Sequence, residues 1–209
     1  MTDAATDRLT VYADYVCPFC YLGREALRQY RATREEPLAV EWHPFDLRSD
    51  RRRPDGTLRP PADGHKDDDY FDAVREQVRS LRERFGVEMA IDVARDVDSR
   101  NAQLASVFVQ MERPDDWLAF DRAVYAALWQ DERAIGDPDV LADVAEDVGL
   151  PSGVIEAALS DDGVRRRLED QFEAARIRGV GGVPTFVYGD HSVRGAVPPA
   201  QLRRLVEGA

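Results

Sequence analysis

The chain has 209 residues, enough for one large domain or for a core domain carrying an insertion, and 44% of them are apolar, enough for a substantial packed core. Its 28 basic and 40 acidic residues leave a net charge of −12, which argues against phosphate backbones and anionic lipid as partners. No run of about 18 apolar residues occurs, so no helix is expected to span a bilayer.

Lys66 is the only lysine; the other 27 bases are arginine. An acidic chain nearly devoid of lysine suits high salt, where screening offsets self-repulsion. A GC-rich coding sequence would favour arginine but would not explain the excess of acids. Residues Met1 to Thr10 are polar and lack a basic start followed by an apolar stretch, so no secretion signal is expected and the cytoplasm is the expected compartment. The two cysteines, Cys17 and Cys20, are three positions apart. Structural disulfides are rare in a reducing cytosol, so a close pair there points to catalysis or metal binding.

In chain order, Leu9 to Tyr12 is apolar and β-prone and reads as a short buried strand. The pair Cys17-Pro18-Phe19-Cys20 follows, and Pro18 to Arg34 favours helix, with Leu22, Ala26, Leu27 and Tyr30 on one face. Pro18 fits the first helical turn, where a missing N–H costs nothing. Glu36-Pro37 breaks the helix, and Leu38 to Trp42 reads as a second strand, which completes a strand–helix–strand crossover. Residues 46 to 69, with Arg51-Arg52-Arg53-Pro54-Asp55-Gly56 and Pro60-Pro61, are expected to form a long surface loop without regular structure.

From Asp67 to Gly179 the pattern is helical. Phe71, Val74, Val78, Leu81 and Phe85 share one face, as do Leu104, Val107, Phe108 and Met111, and Trp117, Phe120, Val124 and Leu128. Asp137-Pro138 is a capping acid followed by a first-turn proline, Gly149 ends that helix, and Ser152 and Ser160 are the expected caps of the next two. Val164, Leu168, Phe172 and Ala175 stripe a last helix ending at Gly179. Strand character returns at Pro184 to Tyr188. A Gly189-Asp190 turn and the partner His191 to Arg194 follow, then a helix from Pro198 through Leu202, Leu205 and Val206. The expected fold class is therefore α/β, with an all-helical lobe, 67–179, inserted between the βαβ and ββα halves of a split core, 1–66 and 180–209.

The chemistry centres on Cys17 and Cys20, between a strand and the start of a helix. Free N–H groups and the positive end of the helix dipole stabilise a thiolate at Cys17, and comparable sites lower a thiol from about 8.5 to roughly 3.5–7.5. Cys20, one turn on, is more covered and can attack a mixed disulfide on Cys17. The pair could instead be half of a zinc site, but there is no second cysteine pair, and His43, His65 and His191 show no paired ligand spacing. No metal is expected.

Cys-Pro-Phe-Cys after a first strand, together with Gly182-Val183-Pro184-Thr185-Phe186 opening a late strand, resembles the thioredoxin-fold signature, and the inserted helices narrow this to the DsbA-like branch. Asp14-Tyr15-Val16-Cys17-Pro18-Phe19-Cys20-Tyr21-Leu22-Gly23, with Ser99-Arg100-Asn101, is similar to the FrnE subgroup. That subgroup is itself similar to 2-hydroxychromene-2-carboxylate isomerases and kappa-class glutathione transferases. The resemblance covers about residues 8 to 207.

The resemblance implies a thiol–disulfide oxidoreductase with Cys17 as nucleophile, Cys20 as resolving thiol and Pro184 as a cis proline facing the pair. Val183 would offer its backbone to an extended substrate. Many thioredoxin-fold enzymes carry a buried acid six residues before the first cysteine; Val11 holds that place here. Asp14, three residues before, either accepts a proton or caps the strand–helix turn. Phe19 and Tyr21 either rim Cys17 or pack the first helix. Ser99, Arg100 and Asn101 either approach a bound thiol cofactor, or Ser99 caps the helix Asn101 to Met111 while Arg100 pairs with surface acids. His43 is expected after the second strand in a structural role, and His191 is expected to be exposed. The expected partner is a disulfide-bearing protein or a small thiol, with no cofactor beyond the redox-active disulfide unless a low-molecular-weight thiol binds. Two other functions fit the same chain: a thiol-cofactor-dependent isomerase or transferase, although those relatives usually have serine where Cys17 stands, and a non-enzymatic holdase or metal-binding module.

Overall fold

The computed structural model describes residues 8–60 and 68–208. His65, Lys66 and the expected core–lobe boundary at 66/67 lie outside these residues.

Strand β1 (Arg8–Ala13) leads into helix α1 (Pro18–Ala32), and the chain returns as β2 (Ala39–Pro44) parallel to β1, with Val11 opposite Trp42. A parallel pair needs such a crossover, and the amphipathic α1 buries Leu22, Ala26, Leu27 and Tyr30 as it makes one. After six intervening helices among the described residues, β3 (Thr185–Tyr188) pairs antiparallel with β1, and β4 (His191–Arg194) pairs antiparallel with β3. The four-stranded sheet has the order β2-β1-β3-β4, so β1 is interior and delivers the cysteine turn from the middle of the sheet. Helix α8 (Pro199–Glu207) closes the chain and buries Leu202 against α1 and the hairpin. His43 lies within β2, its ring 5.2 Å from that of Tyr12, rather than after the strand, because the parallel ladder continues to Pro44. His191 is exposed.

The helices between β2 and β3 are α2 (Asp68–Phe85), α3 (Arg100–Glu112), α4 (Pro114–Trp129), α5 (Pro138–Asp147), α6 (Val154–Ser160) and α7 (Asp162–Ile177). Leu104 and Val107 of α3 meet Phe120, Val124 and Leu128 of α4 in a core continuous with Leu9, Leu22, Trp42 and Phe186 of the sheet half. Each such side chain contributes about 1.5–3 kcal/mol of burial. Met111, expected on the buried face of α3, lies in the last turn of the helix and is 45% exposed.

Asp137 caps α5, accepting from the Asp139 N–H. The next two caps differ from expectation. Gly153, with a φ of 81°, precedes α6, and Asp161, not Ser160, caps α7 by accepting from the Gly163 and Val164 N–H groups. An aspartate one residue on outcompetes Ser160, whose hydroxyl instead donates back to the Glu156 carbonyl inside α6.

The segment after β2 is more ordered than its composition suggests. It holds a short 3-10 turn, Ser49–Arg51, and an isolated bridge between Arg52 and Leu58. Arg52 organises it: the guanidinium reaches Asp46 at 2.5 Å, Asp98 at 3.0 Å and the Gly56 carbonyl at 2.8 Å. One side chain thus ties the loop to itself and to the approach to α3.

Candidate active site

The end of β1 and the start of α1 are joined by a tight turn in which the Cys17 N–H donates to the Asp14 carbonyl at 3.1 Å. Cys17 is the helix N-cap, with φ −93° and ψ 114°. Its carbonyl accepts from the Cys20 and Tyr21 N–H groups, and its side chain caps none of the first-turn amides. The Cys17 thiol therefore sits at the positive end of the α1 dipole. It donates to the Val183 carbonyl at 3.5 Å. Both cysteines are free thiols and both are buried, Cys17 being 4% and Cys20 2% exposed. Burial pushes the Cys20 thiol well up; its hydrogen bond to Cys17 and the charges of Cys17 and Asp14 push the same way.

The Val183–Pro184 peptide is cis. Its loop is held by the Gly195 N–H donating to the Pro184 carbonyl at 2.8 Å and by the Thr185 hydroxyl donating to the Gly182 carbonyl at 2.7 Å. Gly23 of α1 lets this loop approach: a Cβ there would stand 3.1 Å from Pro184 Cγ and 3.2 Å from the Phe186 ring. Phe19 and Val183 are half-buried against the core. Tyr21 is not on the Cys17 rim. It is 4% exposed, its ring faces Tyr125 and Trp129 of α4, and its hydroxyl takes a 2.6 Å hydrogen bond from Gln130. The side of α1 from which Tyr21 projects is covered by α4.

Asp14, three residues before Cys17, is fully buried. Oδ1 accepts from the Val16 N–H at 3.2 Å and the Ser99 hydroxyl at 2.5 Å, and Oδ2 accepts from the Leu47 N–H at 2.9 Å. Burial raises its pKa from 3.8 to about 6 against the pull of these three donors, with Asp46 adding to the rise. One oxygen of Asp14 thus closes the turn, as the capping reading expects, and the group sits among the ionisable groups around Cys20.

Ser99 stands at the N-cap position of α3 but makes no capping bond; its hydroxyl is committed to Asp14, 85 positions away in sequence. Arg100 pairs with Glu169 of α7. The Asn101 amide donates to the Gly136 carbonyl at 2.7 Å and fixes the entry to α5. Of these three, only Ser99 touches the groups around the dithiol.

A second polar seam joins the lobe to the cysteine turn through residues the sequence reading did not single out. The Tyr15 hydroxyl bonds Ser106 at 2.7 Å and Asp121 at 2.9 Å, Trp117 Nε1 donates to Ser106 at 2.9 Å, and Arg24 of α1 pairs with Asp121. Trp129 Nε1 donates to the Tyr15 carbonyl at 2.9 Å, and the Tyr125 hydroxyl to the Asp14 carbonyl at 3.5 Å. A signal existed: Asp121 and Ser106 interrupt the apolar faces of α4 and α3, where a buried polar group must have a partner. Among the described residues, no group of three or more potential metal ligands is brought together, and no helix is long and apolar enough to cross a membrane.

A cysteine pair at a helix start, faced by a proline loop that opens an antiparallel strand, and a sheet ordered 2-1-3-4 together define a thioredoxin-type redox protein. The chain belongs to the DsbA-like thioredoxin domain family, whose model matches residues 8–207. It is 31% identical over 195 residues to the uncharacterized protein YwbO of Bacillus subtilis (strain 168), covering 91% of both chains. Its fold matches the probable DsbA oxidoreductase SCO1869 of Streptomyces coelicolor, with a TM-score of 0.79, 20% identity, and 96% of this chain and 88% of that one covered. It likewise matches a 2-hydroxychromene-2-carboxylate isomerase, with a TM-score of 0.73, 21% identity, and 96% and 93% covered. At these identities the two structures share the fold with this chain and do not by themselves carry its activity.

Proposed function

We propose that the protein is a thiol–disulfide oxidoreductase of the FrnE subgroup, working through Cys17 and Cys20. The observation that carries this reading is the asymmetry of two adjacent free thiols. One stands at a helix start against the Val183 carbonyl; the other lies deeper, its thiol raised by burial, beside a buried acid.

In the reducing direction the Cys17 thiolate attacks one sulfur of a substrate disulfide, forming a mixed disulfide and releasing one substrate thiolate. Cys20 then loses its proton to Asp14 as its sulfur attacks Cys17 Sγ. The Cys17–substrate bond breaks, the second substrate thiolate leaves and takes a proton from solvent, and the protein holds a Cys17–Cys20 disulfide. The substrate has gained the two electrons that the dithiol lost. Run backwards, the same steps oxidise a dithiol substrate. Val183 offers backbone to an extended substrate chain, and Phe19 lines the approach to Cys17. The cytoplasm is the compartment in which such a dithiol is kept reduced. The acidic, lysine-poor composition fits a protein working in concentrated salt.

Insulin reduction under a dithiol recycling system tests the reading. Turnover that vanishes in Cys17→Ser supports it. A wild-type protein that leaves insulin untouched but isomerises or conjugates a small substrate with added glutathione would replace it with the isomerase or transferase reading. Purified protein carrying stoichiometric metal on its two cysteines would replace it with the metal-binding one.

A further inference from the structure

Asp14 receives two of its three hydrogen bonds from backbone N–H groups of the sheet half, Val16 and Leu47. The third is a side-chain hydroxyl that the inserted helices supply. Ser99 and its helix neighbour Gln103 are each 1% exposed. Gln103 Nε2 donates to Ser99 Oγ at 3.0 Å and to the Phe45 carbonyl at 3.3 Å. With both amide hydrogens spent, Ser99 Oγ is an acceptor from Gln103, and its single hydrogen is left for Asp14. Gln103 Oε1 has no partner, a cost for a buried amide oxygen that this orientation accepts. The Ser99 hydroxyl also forgoes the amide cap that serine ordinarily gives a helix start. Two polar groups thus give up local partners, and together they direct one hydroxyl hydrogen at a carboxylate oxygen.

We propose that Ser99 is a positioning residue through which the helical lobe holds Asp14 ionised, so that Asp14 can take the Cys20 proton during resolution of a mixed disulfide. The proposal rests on the oxidoreductase reading for its second half only. Ser99 is the strongest of the groups that favour the charged form of Asp14; burial and Asp46 oppose it. The groups facing this carboxylate are Asp46 and Arg48 from the loop after β2, Cys20 from α1 and Ser99 from α3, while the Tyr125 hydroxyl of α4 meets the Asp14 carbonyl. Asp46 is engaged by Arg52, and Arg48 is turned to the carbonyls of Ala94 and Arg95 at 2.5 and 2.7 Å, so neither acts as a direct donor to Asp14. Removing the Ser99 hydroxyl leaves burial less opposed, and Asp14 keeps its proton to higher pH. A protonated Asp14 cannot accept from Cys20, while attack by Cys17, which does not use Asp14, proceeds.

Two measurements on the full chain test this. Titration of Asp14 by carboxyl-carbon NMR, assigned from the signal missing in Asp14→Asn, should show a midpoint about one pH unit higher in Ser99→Ala than in wild type, with Ser99→Thr returning towards wild type. Single-turnover reaction of the reduced protein with an aromatic disulfide releases one chromophoric thiolate when Cys17 attacks and a second when Cys20 resolves. The second phase should slow about fivefold near pH 6 in Ser99→Ala, with its acid limb displaced upward, and the first phase should be unchanged. An unmoved Asp14 midpoint overturns the proposal, as does a moved midpoint with an unmoved second phase. A wild-type protein that shows no second phase at any pH, while the Asp14 midpoint still moves in Ser99→Ala, overturns the oxidoreductase reading and leaves the Ser99–Asp14 coupling standing.

Discussion

The two faces of the first turn of α1 are built from different materials. On the Cys17 face the neighbours are the Val183 carbonyl and the Pro184 loop. On the Cys20 face lies a seam of largely buried polar side chains, Asp14, Ser99, Tyr15, Ser106, Asp121 and Arg24, nearly all from outside α1. The first face presents the Val183 carbonyl, with the Arg194 side chain packed along the same loop at Gly181 and Gly182. Protons can be handled on the second face without contact with the substrate. The three-residue spacing keeps the two thiols adjacent, so that Cys17 meets the first set of neighbours and Cys20 the second.

The largest effect separates the faces directly. Cys17→Ser should abolish disulfide exchange, whereas Cys20→Ser should still attack and then stall. Non-reducing gels with mass spectrometry would show the stalled mixed disulfide on Cys17; adducts on Cys20 in the Cys17→Ser protein, with none in Cys20→Ser, would reverse the roles.

The seam should next be visible in stability. Asp121 is fully buried and pairs with Arg24, whose side chain is 14% exposed, so Asp121→Ala leaves a largely buried guanidinium without its carboxylate. Loss of one partner of a buried pair costs about 3–5 kcal/mol. Urea unfolding should show a loss of that order; one below about 1 kcal/mol would mean that the Arg24–Asp121 pair contributes little to holding the lobe in place.

Asp14 gives a smaller effect with a definite sign. Its folded pKa, raised from 3.8 to about 6, means that the native state binds this proton more tightly than the unfolded chain does. Its favourable contribution is therefore complete below about pH 4 and is lost as pH rises through 6. Two pKa units amount to about 3 kcal/mol. Relative to wild type, Asp14→Asn should gain stability across that window, up to this limit, less whatever its amide loses opposite the Leu47 N–H. A wild-type-minus-variant difference that is flat from pH 4 to 7 would place the charge of Asp14 in contact with solvent. The smallest expected effect is general to the surface: thermal midpoints of wild type should rise with molar KCl, and a flat or falling midpoint would remove the high-salt reading of the composition.

The first face was much easier to read in the sequence than the second. Cys17, Pro18 and Pro184 announce themselves through local chemistry: a helix start, a missing N–H, a proline entering a strand. Asp137-Pro138 did the same for α5. The partner of Ser99 lies 85 positions away in sequence, so its position before α3 suggested only the local role of a cap. Arg51, Arg52 and Arg53 look equivalent in sequence, yet only Arg52 finds two carboxylates, because the 3-10 turn at Ser49–Arg51 aims it inward. Tyr21 could be placed on α1 by periodicity, but which neighbour occupied that side depended on how α4 crosses.

Gly23 sits within α1, where glycine costs a helix up to about 1 kcal/mol relative to alanine. In exchange the helix surface recedes by one methyl group at the point where Pro184 and Phe186 lean on it. That missing methyl is a dimensional tolerance of the machine: it sets the gap between the part that carries the nucleophile and the part that carries the proline loop. Even alanine at 23 would act as a shim between them, which Pro184 and Phe186 would have to accommodate by giving some tenths of an ångström.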